Sequence, residues 1–268
     1  MTRIVHISDL HFGRDNPALL DPLVKFINGS GAALVLISGD LTQRARHGQF
    51  REARAFIDRL SPQVLAVPGN HDTPLGNLFV RLTRPWGRFR SHISRELEPC
   101  WKSDDMLVAG INTADSRAWQ RGKLRKSSLR RVCAHLLTSP DGQRDDRLAF
   151  VMMHHPPEHL EDSQKRPMRH ARSGLAELNA CGADVVLCGH LHTWSARTLR
   201  DAEGILLLQA GTGLSNRVRG EPNDLNLLHV EGNRLSVERY AAEPDASEFS
   251  RLFHQVYAKQ GGIWQLVS

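Results

Sequence analysis

The 268-residue chain is predicted to be an α/β protein built on parallel strands, and three observations predict it. Leu34-Val-Leu-Ile-Ser-Gly-Asp40 is a short, apolar, β-branched run, as expected of a strand covered on both faces. Four other runs share this character: Ile4–Ser8, Val64–Pro68, Leu148–Met153 and Val185–Cys188. Helical patterns separate the first three strands, an order that implies parallel pairing with right-handed crossovers. All five runs stop at polar clusters: Asp9-Leu-His11, Gly39-Asp40, Gly69-Asn-His-Asp72, His154-His155 and Gly189-His-Leu-His192. Ligands of parallel sheets gather beyond the carboxyl ends of the strands, so five such ends can converge on one site.

Residues 3–8 form the first strand, after which Asp9 and His11 share one face of extended chain. A helix is expected from Pro17, or from Pro22 with Asp21 as cap, to Asn28-Gly29. Phe50, Ala53, Ile57 and Leu60 line one face of a helix over Gln49–Leu60. Residues 75–103 carry arginine and Phe79, Trp86, Phe89 and Trp101, which reads as short helices at the mouth of the site. Met106–Asn112 resumes as strand, a helix follows over Ser127–Leu137, and Pro140–Arg147 is a turn. Pro156–Arg172 has the composition of a mobile lid or substrate loop. The next helix, Ser173–Cys181, has Ser173 as its cap and Gly182 as its stop. Ile205–Gln209, Leu225–Glu231 and Arg234–Tyr240 have the alternation of an antiparallel second sheet, and residues 241–268 read as partly helical. Without repeat or linker, residues 1–268 are expected to form one domain, with a motif core over 4–192 and C-terminal strands and tail over 193–268.

An apolar content of 40% and a charged content of 24% are ordinary for a soluble globular chain. No run approaches bilayer-spanning length. The N-terminus has too little apolar length before Asp9 for a signal peptide, so the expected location is cytoplasmic. Cys100, Cys133, Cys181 and Cys188 form no CxxC pair and are expected to be reduced thiols. The net charge of +6 and pI near 9.5 favour an anionic substrate or surface. Arginine clusters at 81–90, 117–131 and 165–172 carry the excess. Arg117, Arg121 and Lys123, or Lys165 and Arg169, can grip a second phosphate or simply face solvent.

Histidine is the anomaly, with 14 in the chain and six in the strand-end clusters. Imidazole is the commonest transition-metal ligand. Two divalent ions about 4 Å apart need a bridging carboxylate, neutral nitrogens and open positions. Asp9, Asp40 and the Asn70 amide offer oxygen; His11, His154, His190 and His192 offer nitrogen. The reading is a two-metal centre bridged by Asp40, with manganese, iron or zinc all admitted by mixed ligation. His155 is the alternative to His154, and His6, inside the first strand, reads as a core histidine.

Asp-x-His, Gly-Asp, Gly-Asn-His-Asp, His-His-Pro-Pro and Gly-His-x-His, in this order over residues 9–192, resemble the calcineurin-like metallophosphoesterases. The resemblance implies a four-layer α/β/β/α sandwich, two mixed β-sheets flanked by helices. It implies one ion held by Asp9, His11, Asp40 and His192, and another by Asp40, Asn70, His154 and His190. His71 matches the histidine that faces the scissile phosphate, with Asp72 orienting its ring. Hydroxide made available by the two cations would attack phosphorus in line, and His71 would protonate the leaving alkoxide.

Ser-Asp-Leu-His, Ser-Gly-Asp-Leu-Thr-Gln and Met-His-His-Pro-Pro look most like the bacterial class III cyclic-nucleotide phosphodiesterase branch. That branch implies a small anionic phosphodiester substrate, cyclic nucleotides included, and no stable nucleic-acid partner. Thr42-Gln43, where the superfamily's nucleases carry an acid, lowers a nuclease reading. The alternative is a pyrophosphate hydrolase acting on UDP-2,3-diacylglucosamine at a membrane surface, to which segment 79–101 is suited. A non-catalytic scaffold of the same fold is the third reading. Oligomeric state is left open.

Overall fold

The computed structural model describes residues 1–137, 147–159, 166–217 and 220–267. The first half runs β1 (Thr2–Ile7), α1 (Leu20–Gly29), β2 (Leu34–Ile37), α2 (His47–Ile57), β3 (Gln63–Ala66), α3 (Leu78–Thr83), α4 (Gly87–His92), β4 (Cys100–Lys102) and β5 (Met106–Ile111). It continues with α5 (Lys126–Leu136), β6 (Leu148–Met153), α6 (Ala171–Ala180) and β7 (Val185–Cys188). Six strands close the chain: β8 (Ser195–Leu199), β9 (Ala202–Gln209), β10 (Asn223–Glu231), β11 (Arg234–Ala242), β12 (Ser250–Gln260) and β13 (Ile263–Leu266).

Two mixed sheets result, ordered β13-β12-β11-β10-β1-β2-β3 and β4-β5-β6-β7-β9-β8. β1, β2 and β3 are mutually parallel, as are β5, β6, β7 and β9. Alternation along β2 explains the layers. Leu34 and Leu36 pack with Val108, Phe150 and Met152 of the facing sheet, whereas Val35 and Ile37 pack with Leu23, Phe50 and Phe56 beneath α1 and α2. Val151 and Leu207 point outward to Leu129, Val132 and Leu175 of α5 and α6. Each central strand is covered on both faces, hence its unbroken apolar sequence. Helix, sheet, sheet and helix stack as the four expected layers.

Several local expectations are corrected. Residues 250–266 are strands β12 and β13, not helix. Only Tyr257, Ala258 and Trp264 of this ribbon are buried, so its sequence lacks the apolar stripe that marks a well-covered strand. β10 pairs antiparallel to β1 in the first sheet and β11 antiparallel to β10, while β9 lies parallel to β7 in the other. The 3-10 turn Pro17–Leu19, capped by Asn16, leads into α1, and Asp21 sits in its first turn. α6 starts at Ala171 after His170 in the left-handed region, and Ser173 Oγ donates back to the His170 carbonyl rather than capping. Segment 75–103 holds β4 besides the two short helices.

Cys133 and Cys181 are not reduced thiols but a disulfide joining α5 to the end of α6, their Cα atoms 5.4 Å apart. They are 48 positions apart in the chain, and only the packing of those helices brings them together. Cys100 and Cys188 are free, Cys188 buried. The turn expected over 140–147 lies, except for Arg147, outside the described residues, as do positions 160–165 of the expected substrate loop.

Candidate metal centre

The seven expected ligands arrive from five strand ends. Asp9 and His11 follow β1, Asp40 follows β2, Asn70 follows β3, His154 follows β6, and His190 and His192 follow β7. All seven are buried. Five of them, Asp9, His11, Asp40, His190 and His192, have left-handed backbone, with φ of 54°, 51°, 52°, 72° and 61°. That region is sparsely used by residues with a Cβ and clusters at functional sites. It turns each chain sharply inward as it leaves the sheet. The main chain holds these turns in register: Asp9 N donates to Gly39 O and His11 N to Asp40 O, both at 3.0 Å. Two glycines permit the approach. A Cβ at Gly69 would stand 2.1 Å from Asp40 Oδ1, and one at Gly189 would stand 1.9 Å from Ser8 Oγ.

Each carboxylate commits one oxygen to the protein and aims the other inward. Asp9 Oδ2 accepts from Ser8 Oγ at 2.7 Å and from His190 N at 2.9 Å. Asp40 Oδ1 accepts from His71 N at 2.7 Å. The inward oxygens meet imidazoles. Asp9 Oδ1 lies 3.1 Å from His192 Nε2 and 3.4 Å from His11 Nε2; Asp40 Oδ2 lies 3.3 Å from His154 Nε2 and 3.8 Å from His11 Nε2. Asn70 Oδ1 is 3.2 Å from His154 Nε2, and His190 Nδ1 is 3.3 Å from the same atom. His11 Nε2 and His192 Nε2 are likewise 3.3 Å apart.

These atoms fit a pair of cations. His154 Nδ1 donates to Ser38 O at 2.8 Å and His192 Nδ1 to Arg217 O at 3.1 Å, which turns both Nε2 lone pairs inward. Lone pairs facing lone pairs at such separations repel, and Asp9 Oδ1 is buried without a hydrogen-bond partner among the described residues. Ligand atoms bound at about 2.0–2.2 Å to one ion stand roughly 3 to 3.5 Å apart, the spacing seen here. The charges agree. Burial opposes ionisation of Asp9, but His192 and His11 more than reverse it and hold the carboxyl well below the usual range. Asp40 is held low in the same way by His154 and His71. Burial acts against a charged His154, yet Asp40 raises it to about 9; the field that draws a proton onto this ring is the field that draws a cation.

His155, the alternative ligand, belongs to a ligand-sized cluster with His154 and His190. Its ring nitrogens are nonetheless engaged: Nδ1 with Thr113 Oγ1 at 2.9 Å and Nε2 with Gln120 O at 3.0 Å. His6 is buried and bonded to Ser38 and Asn226, a core histidine.

The His71 ring stands edge-on to His11, centroids 4.9 Å apart. The contact expected from Asp72 is made instead by Gln43, whose carbonyl accepts from His71 Nδ1 at 2.8 Å. The Asp72 carboxylate accepts from Leu41 N, Thr42 N, Thr42 Oγ1 and Gly69 N, pinning the loop after β2 to the loop after β3. Burial and the Asp40 charge push Asp72 up to about 7 against these donors. Two further groups escape the sequence reading. Arg217 Nη1 lies 3.2 Å from His71 Nε2 and 3.3 Å from Gln43 Oε1, while its own carbonyl holds His192. Arg217 follows the Gly211-Thr-Gly213 turn beyond β9, a glycine-marked strand end like those at Gly39, Gly69 and Gly189.

Comparison with known proteins agrees with this geometry. Residues 2–194 match the calcineurin-like phosphoesterase family. The chain is 26% identical over 214 residues to a glycerophosphodiester phosphodiesterase, GpdQ, of Enterobacter lignolyticus, covering 74% of each chain. Among solved structures it resembles the purple acid phosphatase PPD1 of yellow lupin, with a TM-score of 0.68 and 12% identity over 94% of this chain and 53% of that one. It also resembles Vacuolar Protein Sorting 29 of Cryptosporidium parvum, with a TM-score of 0.52 and 13% identity over 96% and 98% of the chains. These two likenesses are of fold. With its motif core matched over most of its length, the chain belongs to the calcineurin-like phosphoesterases.

Proposed function

We propose that this metal-dependent phosphoesterase hydrolyses small phosphodiesters, cyclic nucleotides among them, at a dinuclear centre with His71 as general acid. One observation carries the reading: Asp40 Oδ2 faces both ligand sets while Oδ1 is fixed on the main chain of His71. Asp9, His11, Asp40 and His192 would hold one ion, and Asp40, Asn70, His154 and His190 the other. When bound, such a pair supplies charge neutralisation for a phosphoryl group and acidifies water.

The chain's own residues supply the rest. Because Gln43 O fixes the His71 Nδ1 proton, exchange with substrate takes place at Nε2. That atom is where a leaving alkoxide would receive its proton. Arg217 stands beside it and presents N–H donors to a phosphoryl oxygen, a role for which guanidinium geometry is suited. The named activity of the Enterobacter relative supports a diester over a monoester.

The test is manganese-dependent cleavage of bis(p-nitrophenyl) phosphate, abolished in Asn70→Ala and lowered on the order of a hundredfold in His71→Ala. Turnover of 2′,3′-cAMP, 3′,5′-cAMP, a glycerophosphodiester and the UDP-linked diacylglucosamine then ranks the substrates. Activity on the lipid alone would overturn the reading, and a metal-binding protein inert on all four would be a scaffold.

A further inference from the structure

α3 turns an apolar side to solvent. Leu78 is 67% exposed, Phe79 76% and Leu82 53%, and helical spacing sets positions 78 and 82 above one another with 79 alongside. Trp119, 70% exposed, adjoins this helix through Arg81, whose guanidinium lies 5.7 Å from the indole centroid. Arg81 is itself buried and donates to the Ser116 carbonyl at 2.7 Å and the Ala118 carbonyl at 2.5 Å. It therefore fixes the Trp119 loop against α3. Single apolar residues on a surface are ordinary, but a group of four containing Phe and Trp marks a contact surface.

The surroundings name the partner. No acid occurs between Asp72 and Glu96, a stretch with five arginines, or between Asp115 and Asp141, a stretch with seven Lys and Arg. Exposed Arg84 ends α3, and exposed Arg117 lies two positions from Trp119. A second copy of the chain would set like charge against like charge on this face. We propose that α3 and the Trp119 loop are a docking surface for an anionic lipid bilayer, the aromatic and leucine side chains entering the interface while the arginines meet head-group phosphates. The surface is coupled to the metal centre: Arg81 Nη1 donates to Thr73 Oγ1 at 3.1 Å, and Thr73 Oγ1 donates to the Asn70 carbonyl at 2.7 Å. Docking would bring the mouth of the site to the head groups.

The experiment is flotation of the full chain with phosphatidylcholine vesicles with and without phosphatidylglycerol. Binding is expected to the phosphatidylglycerol vesicles alone, to fall with added salt, and to weaken roughly tenfold or more in Phe79→Ser and further in Phe79→Ser/Trp119→Ser. Phe79 is solvent-facing, so its single substitution reads binding rather than folding, and hydrolysis of soluble bis(p-nitrophenyl) phosphate is expected unchanged. Failure of the unsubstituted protein to float with phosphatidylglycerol overturns the proposal. Undiminished flotation of the double variant does so too, as does a dimer, in place of vesicle binding, that the substitutions dissolve.

Discussion

The main-chain N–H of His71 donates to Asp40 Oδ1 at 2.7 Å. The residue proposed to exchange a proton with substrate and the residue proposed to lie between two ions thus share one hydrogen bond, across neighbouring parallel strands β2 and β3. Asp72 reinforces the joint through its four donors. On the proposed mechanism, a substrate oriented by the ions would thereby be oriented toward His71.

Convergent carboxylates and lone pairs on left-handed backbone are costly in the folded chain without cations, at roughly 1 kcal/mol or more for each strained residue. Metal is therefore expected to stabilise the fold. Saturating Mn²⁺ should raise the thermal midpoint of chelated protein, by about 2.7 kcal/mol of stability at a hundred times the dissociation constant. Asp40→Ala, which removes the oxygen facing both sets, should abolish that response. A midpoint indifferent to chelator in the unsubstituted chain would refute the assignment.

The two adjacent histidines after β6 should behave differently. His154 aims Nε2 at Asp40, Asn70 and His190, so His154→Ala is expected to cut bound metal from two equivalents toward one and to eliminate turnover. His155 instead ties the loop over 113–120 to the sheet. His155→Ala should keep both equivalents while losing about 1–3 kcal/mol of stability, from the partners left unmatched. Elemental analysis beside denaturant unfolding separates the pair, and equal metal loss in both would show that His155 also ligates.

Arg217 offers a cleaner split, because its side chain faces His71 while its carbonyl holds His192. Arg217→Ala leaves the carbonyl in place, so metal content should be unchanged while kcat/KM falls roughly 10–100-fold. Arg217→Lys should recover only part, since a point charge cannot reproduce the planar fork. Steady-state kinetics on bis(p-nitrophenyl) phosphate with metal analysis decides it. Full activity in Arg217→Ala would place the guanidinium outside the reaction.

How much of this the sequence disclosed depended on burial. β2, β6 and β7 are covered on both faces, so their apolar runs and polar ends stand out together, and with the ends of β1 and β3 they account for all seven inward side chains. Arg217 is not legible, because Ile205–Gln209 has the same short alternation as the antiparallel strands that follow it. Pairing of β9 parallel to β7 sends its end, and the loop to Arg217, to the same rim as the other strands. Local sequence does not encode that choice of neighbour. Nor did it encode which group holds the His71 ring, since Gln43 acts through a carbonyl that every residue possesses. The β12–β13 ribbon was missed for the opposite reason to β2: most of its side chains face solvent.

The buried imidazole of His6 makes the fold itself sensitive to acid. Asn226 Nδ2 donates to Nδ1 at 3.1 Å, so the ring carries its proton on Nε2 and donates it to Ser38 Oγ at 2.9 Å. Both nitrogens are engaged with the ring neutral, and burial, offset in part by Asp9, pushes its pKa down to about 3. An unfolded histidine titrates near 6.5. Below that pH the unfolded chain takes up a proton that the folded chain refuses. The stabilisation is therefore complete above pH about 6.5 and is lost progressively as pH falls toward about 3, to a limit of ~5 kcal/mol. His6→Gln, which keeps an amide donor and acceptor but cannot titrate, should lower the pH-dependence of unfolding by up to one proton across this window. Urea unfolding between pH 7 and pH 4 measures the slope, and parallel slopes for the two proteins would show that His6 ionises as readily inside the sheet as outside it.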